Sequence, residues 1–233
     1  MEKNAKEVIC NKPGCNKKGQ TLEEFLSCYN ADKYKKPSVT VDMLIFCEKK
    51  GKEGFELLMI QRADHPCIGQ WALPGGFVEM DENLEDAAKR ELKEETHLEE
   101  AYLEQLYTYG DVNRDPRGRT ISVAYLAVVD EKDEKLQADD DAKAANWFCV
   151  SCKLLTEKLE TTDLNEKVTK KIQDYEIELE SAQEKLSAQV RCITIQKGRW
   201  KKEEMQILNK NQIAFDHAKI ILKGYLKVTQ KNI

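Results

Sequence analysis

Between Glu82 and Glu95, four of the six carboxylates, Glu82, Glu91, Glu94 and Glu95, form with Arg90 a set that could do chemistry. The segment from about Asn83 to Thr96 has helical character, with Asp81 or Asn83 available to cap it. Advancing about 100° per residue from Leu84, Ala88, Glu91 and Glu95 fall within about 40° of it, and Glu94 lies on the flank. Glu85, Asp86, Lys89 and Lys93 occupy the opposite side. An acidic run on a helix is ordinarily a solvated face. Here the carboxylates continue the apolar stripe, so they point inward, where they repel one another and lose hydration unless a cation compensates. An all-oxygen ligand set suits Mg²⁺ or Mn²⁺. Just upstream, Gly75 and Gly76 let the backbone approach a metal or a phosphate closely.

A site of this kind needs a scaffold, and 233 residues can bury one substantial core with an elaboration. Charged residues are 34% of the chain with a net charge of only −5, and both signs are interspersed, which argues against a dedicated nucleic-acid binder. Apolar runs such as Val123 to Val129 are far shorter than the ~20 residues of a membrane span, and the start of the chain is polar, so a cytoplasmic protein without a membrane partner is expected. The eight cysteines read as reduced thiols in the absence of a secretory signal. Cys10 and Cys15 with the Cys149/Cys152 pair are a conceivable four-thiolate zinc set, but the first spacing is loose, and small apolar residues are the preferred reading.

Residues 1–37 read as an N-terminal arm with a short amphipathic stretch, Leu22 to Tyr29, closed by Pro37. A core over 38–152 begins with a hairpin, Val39 to Cys47 and Phe55 to Arg62. A loop containing Pro66, Gly69, Pro74, Gly75 and Gly76 follows, then the acidic helix, then strands at Leu103–Tyr109, Thr120–Val129 and Asn146–Val150. Glu166 to Val190 lacks Pro and Gly and could be drawn as a helix. However, Tyr175, Ile177 and Leu179 alternate with acidic residues, and Val190, Cys192 and Thr194 alternate with Arg191, Ile193 and Ile195, so 153–210 is predicted to be an inserted β-meander. Residues 211–233 return to the core with a closing helix, where Ala214, Phe215, Ala218, Ile221 and Leu222 recur at helical spacing.

The order Gly76, five residues, Glu82, seven residues, Arg90-Glu91-Leu92, one residue, Glu94-Glu95, one residue, His97-Leu98 closely resembles the Nudix box, Gly-x5-Glu-x7-Arg-Glu-U-x-Glu-Glu-x-Gly-U with U aliphatic. His97 replaces the Gly that ends the helix. Histidine tolerates a left-handed conformation better than most residues, so this departure bears on loop geometry rather than on metal binding. The resemblance implies an α/β fold, an α/β/α sandwich with a mixed sheet. It implies that Glu91, Glu94 and Glu95 bind divalent metal with a backbone carbonyl near Gly75, while Arg90 and Glu82 pair to orient them. The implied chemistry is in-line attack of an activated water on a diphosphate, with Glu91 or a residue outside the box accepting the proton.

Pro37 to Asp42, Gly110 with Arg114 to Arg119, Asp140-Asp141-Ala142, Trp147-Phe148 and Ala214 to Ala218 resemble the branch that holds the ADP-ribose pyrophosphatases and related regulators of NAD metabolism. Hydrolysis of ADP-ribose to AMP and ribose 5-phosphate is the implied reaction, on a small-molecule nucleotide and by a homodimer. Oxidised nucleoside triphosphate cleavage and ADP-ribose sensing are the alternatives. Seven residues after Leu226 leave no room for a regulator's winged helix, so an enzyme is expected. Arg62, Arg114, Arg117 and Arg119, with the backbone at Gly76, are candidate substrate ligands through forked guanidinium bonds to phosphate. The competing reading of the last three is a solubilised hairpin tip. His217 is expected to pack rather than to catalyse.

Overall fold

The computed structural model describes residues 13–48, 54–96, 102–130, 142–162 and 168–229. The chain divides at Lys36/Pro37 into two compact units. The first carries α1 (Leu22–Cys28), opened by a capping box in which Thr21 Oγ1 accepts from Glu24 N and Glu24 Oε2 accepts from Thr21 N. That pairing satisfies donors a helix start otherwise leaves orphaned.

The second unit is a nine-stranded mixed sheet: β1 (Ser38–Glu48), β2 (Phe55–Arg62), β3 (Trp71–Ala72), β4 (Glu104–Tyr109), β5 (Thr120–Asp130), β6 (Ala142–Thr162), β7 (Val168–Glu180), β8 (Lys185–Lys197) and β9 (Trp200–Asn211). Its spatial order is β4-β5-β1-β2-β6-β7-β8-β9, with β3 on β2. β1 runs parallel to β5 along its full length and antiparallel to β2. The apolar run of β1 is buried on both faces, as a central strand with a parallel neighbour requires.

One face holds α2 (Leu84–Thr96), whose Ala87, Ala88 and Leu92 pack against Met43, Ile45 and Cys47 of β1. The other holds α3 (His217–Thr229), whose Ala218, Ile221 and Leu222 share a core with Leu44 and Phe46. Alternate residues of one strand thus serve two layers, and the α/β/α arrangement follows. α3 lies so close to β1 that a Cβ on Gly224 would meet Leu44 Cδ2 at 2.6 Å.

The expected meander is present as β7, β8 and β9, turning at Ser181–Glu184 where a helix could have been drawn. Its Ile177, Leu179, Leu186, Ala188 and Val190 belong to the core beneath α3. The boundary expected between 152 and 153 does not coincide with an end of structure: β6 runs through it for 21 residues, pairing with β2 at one end and β7 at the other. Ser151-Cys152-Lys153-Leu154 contains no strand breaker, and the strand continues through it. Among the described residues no helix is long and apolar enough to cross a membrane. Cys15, Cys28, Cys67, Cys152 and Cys192 are reduced thiols, and Cys10 lies outside the described residues.

Candidate active site

A cleft of about 540 Å³ opens where β1, the Gly-rich loop, the start of α3 and the β4–β5 connection converge. β3 builds one wall: Trp71 N donates to Gln212 O and Ala214 N to Trp71 O, which brings the turn before α3, with Phe215, to the cleft. The Gly-rich loop is tied to β1 by Met43 N to Pro74 O at 2.8 Å and Val41 N to Gly76 O at 2.9 Å. Glycine is obligatory at 75, since its φ is +148° and a Cβ would stand 3.0 Å from Asp42 Cα and nearer still to the Val41 carbonyl.

At 76 the steric demand is of another kind. A Cβ there would stand 2.6 Å from Glu91 Oε2 and closer to Oε1, so the carboxylate is seated directly on the backbone of the loop. Arg90 organises the acidic residues around it. Its Nε and Nη2 bind Glu82 at 3.1 and 2.8 Å, Nη2 also reaches Phe77 O at 3.0 Å, and Nη1 bridges Glu91 and Glu94, each at 2.9 Å. Glu82 additionally accepts from Glu79 N at 2.8 Å. These bonds, Arg90's first, hold the Glu82 carboxyl below its ordinary range, while burial pushes Glu91 up against the opposing pull of Arg90.

Of the residues singled out from sequence, Gly75, Gly76, Arg90, Glu91, Arg62, Arg114 and Arg117 line the cleft. Glu82 stands behind it as the partner of Arg90, and the Glu94 side chain is 58% exposed on the flank, as its helical azimuth required. The Glu95 side chain, His97 and Leu98 lie outside what is described, as do Asp140 and Asp141. Among the described residues no three acidic, histidine or cysteine groups converge as a ligand cluster; Arg90 bridges Glu91 and Glu94.

The four arginines differ in what already holds them. Arg119 is not in the cleft; its guanidinium bonds the Asp111 and Thr120 carbonyls and braces the β4–β5 connection. Arg114 is only 6% exposed and is committed to Asp216 at 2.8 and 3.1 Å and to Asp42 at 3.4 Å. Burial opposes its charge, but the two carboxylates outweigh that and raise its pKa. Arg117 is held by Asp115 through Nε and Nη2 and lies 5.1 Å from the Phe77 ring centre and 5.8 Å from that of Phe215. Arg62 donates to Pro66 O and lies 5.1 Å from the Phe215 ring.

Sequence reasoning passed over Asp42, Asp115, Phe77 and Phe215 as individual site residues. An acid inside the apolar run of β1 was the available signal for Asp42, which also accepts from Ser122 Oγ. His217 Nδ1 accepts from Leu73 N at 2.9 Å, placing the proton on Nε2, 3.6 Å from Asp42 Oδ1. Complete burial lowers its pKa despite Asp42 and Asp216, so the imidazole is neutral.

The NUDIX domain family model matches residues 36–170, more than half of the chain. The chain belongs to the Nudix family. Its Nudix box is therefore the segment just described around Gly76, Glu82 and Arg90 to Glu95. Over 115 residues the chain is 44% identical to an ADP-ribose pyrophosphatase of Methanocaldococcus jannaschii, covering 49% of this chain and 63% of that protein. Over 112 residues it is 43% identical to the ADPR responsive transcriptional repressor NtrR of Acinetobacter baylyi, covering 47% and 44%. It thus spans less than two thirds of either relative. A solved structure, a MutT/nudix family protein from Enterococcus faecalis, superposes with a TM-score of 0.65 at 34% identity over 91% of this chain and 71% of that one, so the Nudix likeness extends through most of the meander as well.

Proposed function

We propose that this Nudix protein is a Mg²⁺-dependent pyrophosphohydrolase, with Mn²⁺ as a possible substitute, that cleaves ADP-ribose to AMP and ribose 5-phosphate. The observation that carries the reading is the seating of the Glu91 carboxylate on the Gly76 backbone at the floor of the cleft, steered by the Arg90–Glu82 pair. A half-buried carboxylate with a second one beside it is a hard-oxygen donor set suited to such a cation. Glu91, Glu94 and Glu95, with the backbone carbonyl near Gly75, would hold it. The bound cation supplies charge neutralisation on the diphosphate and acidifies water.

The protein's own groups do the rest. Glu82 fixes the guanidinium of Arg90, and Arg90 fixes the approach of Glu91 and Glu94. The attacking water loses its proton to Glu91 or to a carboxylate outside the box. Every cleft-lining residue belongs to 38–152 or 211–233, which supports placing the chemistry in a Nudix core and treating 153–210 as an insertion. The choice of ADP-ribose is supported by the relatives from M. jannaschii and A. baylyi, both of which carry ADP-ribose in their names. The same reading holds that the protein is a cytoplasmic homodimer acting without nucleic acid or membrane.

Purified protein with Mg²⁺ and, in turn, ADP-ribose, NADH and 8-oxo-dGTP tests this. AMP and ribose 5-phosphate from ADP-ribose is the expected result. Turnover of none refutes hydrolysis, and pyrophosphate release from the triphosphate alone refutes the substrate. Saturable ADP-ribose binding without turnover would instead support the sensing role that the A. baylyi relative's name describes.

A further inference from the structure

The Gly-rich loop is tied to β1 at Pro74 and Gly76, but its first residue is held from another layer of the fold. After Ala72 the chain leaves its pairing with β2 and crosses to β1. At that step the Leu73 amide donates to Nδ1 of His217, 144 positions away at the start of α3, at 2.9 Å. Both residues are buried, so solvent does not stand in for the acceptor. Pro74 has no N–H, which makes this amide the last backbone donor before Gly75.

His217 is itself fixed. Its Nε2 lies 3.6 Å from Asp42 Oδ1, and the Asp42 carboxylate accepts from Ser122 Oγ and from Arg114. A carboxylate facing one ring nitrogen sets the tautomer and the orientation that the other presents. Asp42 stands on β1 between Val41 and Met43, whose N–H groups hold Gly76 O and Pro74 O. The imidazole thus refers the start of the loop to the same stretch of β1 that receives the rest of it. At the far end of the loop there is no slack: a Cβ on Gly75 would stand 3.0 Å from Asp42 Cα, and one on Gly76 would stand 2.6 Å from Glu91 Oε2. In packing this close, a shift that begins at Leu73 is passed on to Glu91.

We propose that His217 is a positioning residue for the metal-binding end of the cleft: by accepting from Leu73 N it sets the Gly-rich loop, and through the loop the Glu91 carboxylate. This deepens the hydrolase reading and rests on it. It adds that the last helix of the chain, which supplies no ligand to the cation, governs how well the cation is held.

Mn²⁺ titration, followed by the electron paramagnetic resonance signal of the free ion, reads the site without turnover, and ADP-ribose hydrolysis at saturating Mn²⁺ is measured beside it. His217→Leu fills much of the same space and accepts nothing. It is expected to weaken Mn²⁺ binding about 10-fold, and to lower kcat about 100-fold with KM within about threefold of the parent. His217→Asn, whose Oδ1 falls near the place of Nδ1, is expected to bring both back to within about threefold of the parent. Val190→Ala, which loosens the core under α3 from β8, should change neither, and so separates loss of this bond from loss of stability. If His217→Leu does not fold, His217→Gln is read in its place with the same losses expected, since its acceptor lies one methylene further out. A His217→Leu protein equal to the parent overturns the proposal. So does His217→Asn as impaired as His217→Leu, or Val190→Ala with the same losses. A parent that binds Mn²⁺ without hydrolysing ADP-ribose sinks the hydrolase, while weaker Mn²⁺ binding in His217→Leu with recovery in His217→Asn still sustains the positioning role. Hydrolysis that proceeds equally in the parent and His217→Leu does the reverse, and a parent that takes up no Mn²⁺ overturns both.

Discussion

Replacing Gly76 by alanine tests whether the position of Glu91 governs activity. The backbone at 76 is not in the left-handed region, so alanine meets no conformational penalty there. What it meets is the carboxylate, at 2.6 Å from Oε2 and closer to Oε1. To restore ordinary contact Glu91 must withdraw by more than about 1 Å. The obstacle is the end of a flexible side chain, 13% exposed and held by Arg90, which can move, and alanine also reduces the freedom of the unfolded chain by about 0.4–1 kcal/mol, so stability should change by less than about 1 kcal/mol in either direction. Catalysis should not be so tolerant, because a displacement of about 1 Å at a positioning group costs on the order of 10²-fold in rate. The expected outcome is a loss of about 100-fold in kcat on ADP-ribose with an unfolding free energy in urea within about 1 kcal/mol of the parent. Gly75→Ala is the contrasting control: its Cβ would strike backbone and its φ is unfavourable, so it should destabilise the fold itself. A Gly76→Ala protein with activity within about threefold of the parent would refute the reasoning, since Glu91 would then have moved without consequence.

Arg114→Met should cost about 3–5 kcal/mol in urea unfolding, because it strands Asp42 and Asp216 as buried carboxylates without their cation; a loss under about 1 kcal/mol would show that the pairing is dispensable. His217 predicts a pH dependence. Its folded pKa lies below its unfolded value near 6.5, so as pH falls the unfolded chain takes up a proton first and stability declines from about pH 6.5 downward, by at most about 1.4 kcal/mol per unit, until the folded pKa is passed. His217→Asn keeps an acceptor for Leu73 N and cannot titrate, so the parent should lose stability relative to it between pH 7.5 and 5.5; a constant difference across that range would remove His217 as the cause.

What could be read in advance was whatever depends on local period. The strand character of β1, the flank position of Glu94 and the alternation that made β7 and β8 strands rather than a helix are consequences of side-chain direction along a single element. The pairings that escaped notice depend on distant partners. Arg114 meets Asp216 across 102 positions of sequence and Asp42 across 72, and no local pattern tells a buried arginine from a solvated one at a hairpin tip. The same holds for Arg117, which Phe77 and Phe215 approach from two other segments. Forked guanidinium chemistry was a sound basis for expecting phosphate ligands, but it does not tell whether the fork is already occupied.

The 21-residue strand β6 has a mechanical consequence. A module attached through a loop can open without disturbing its host. One attached by prolonging a host strand shares a continuous backbone with it, bonded first to the host and then to the module, and here the prolonged region also completes the apolar floor under α3. The meander and the cleft are therefore parts of one cooperative unit. Alternate amides along β6, those bonded to β2 over Ala142–Val150 and to β7 over Cys149–Thr162, should exchange slowly as one set, and destabilising the far hairpin should be felt at the cleft end of the sheet.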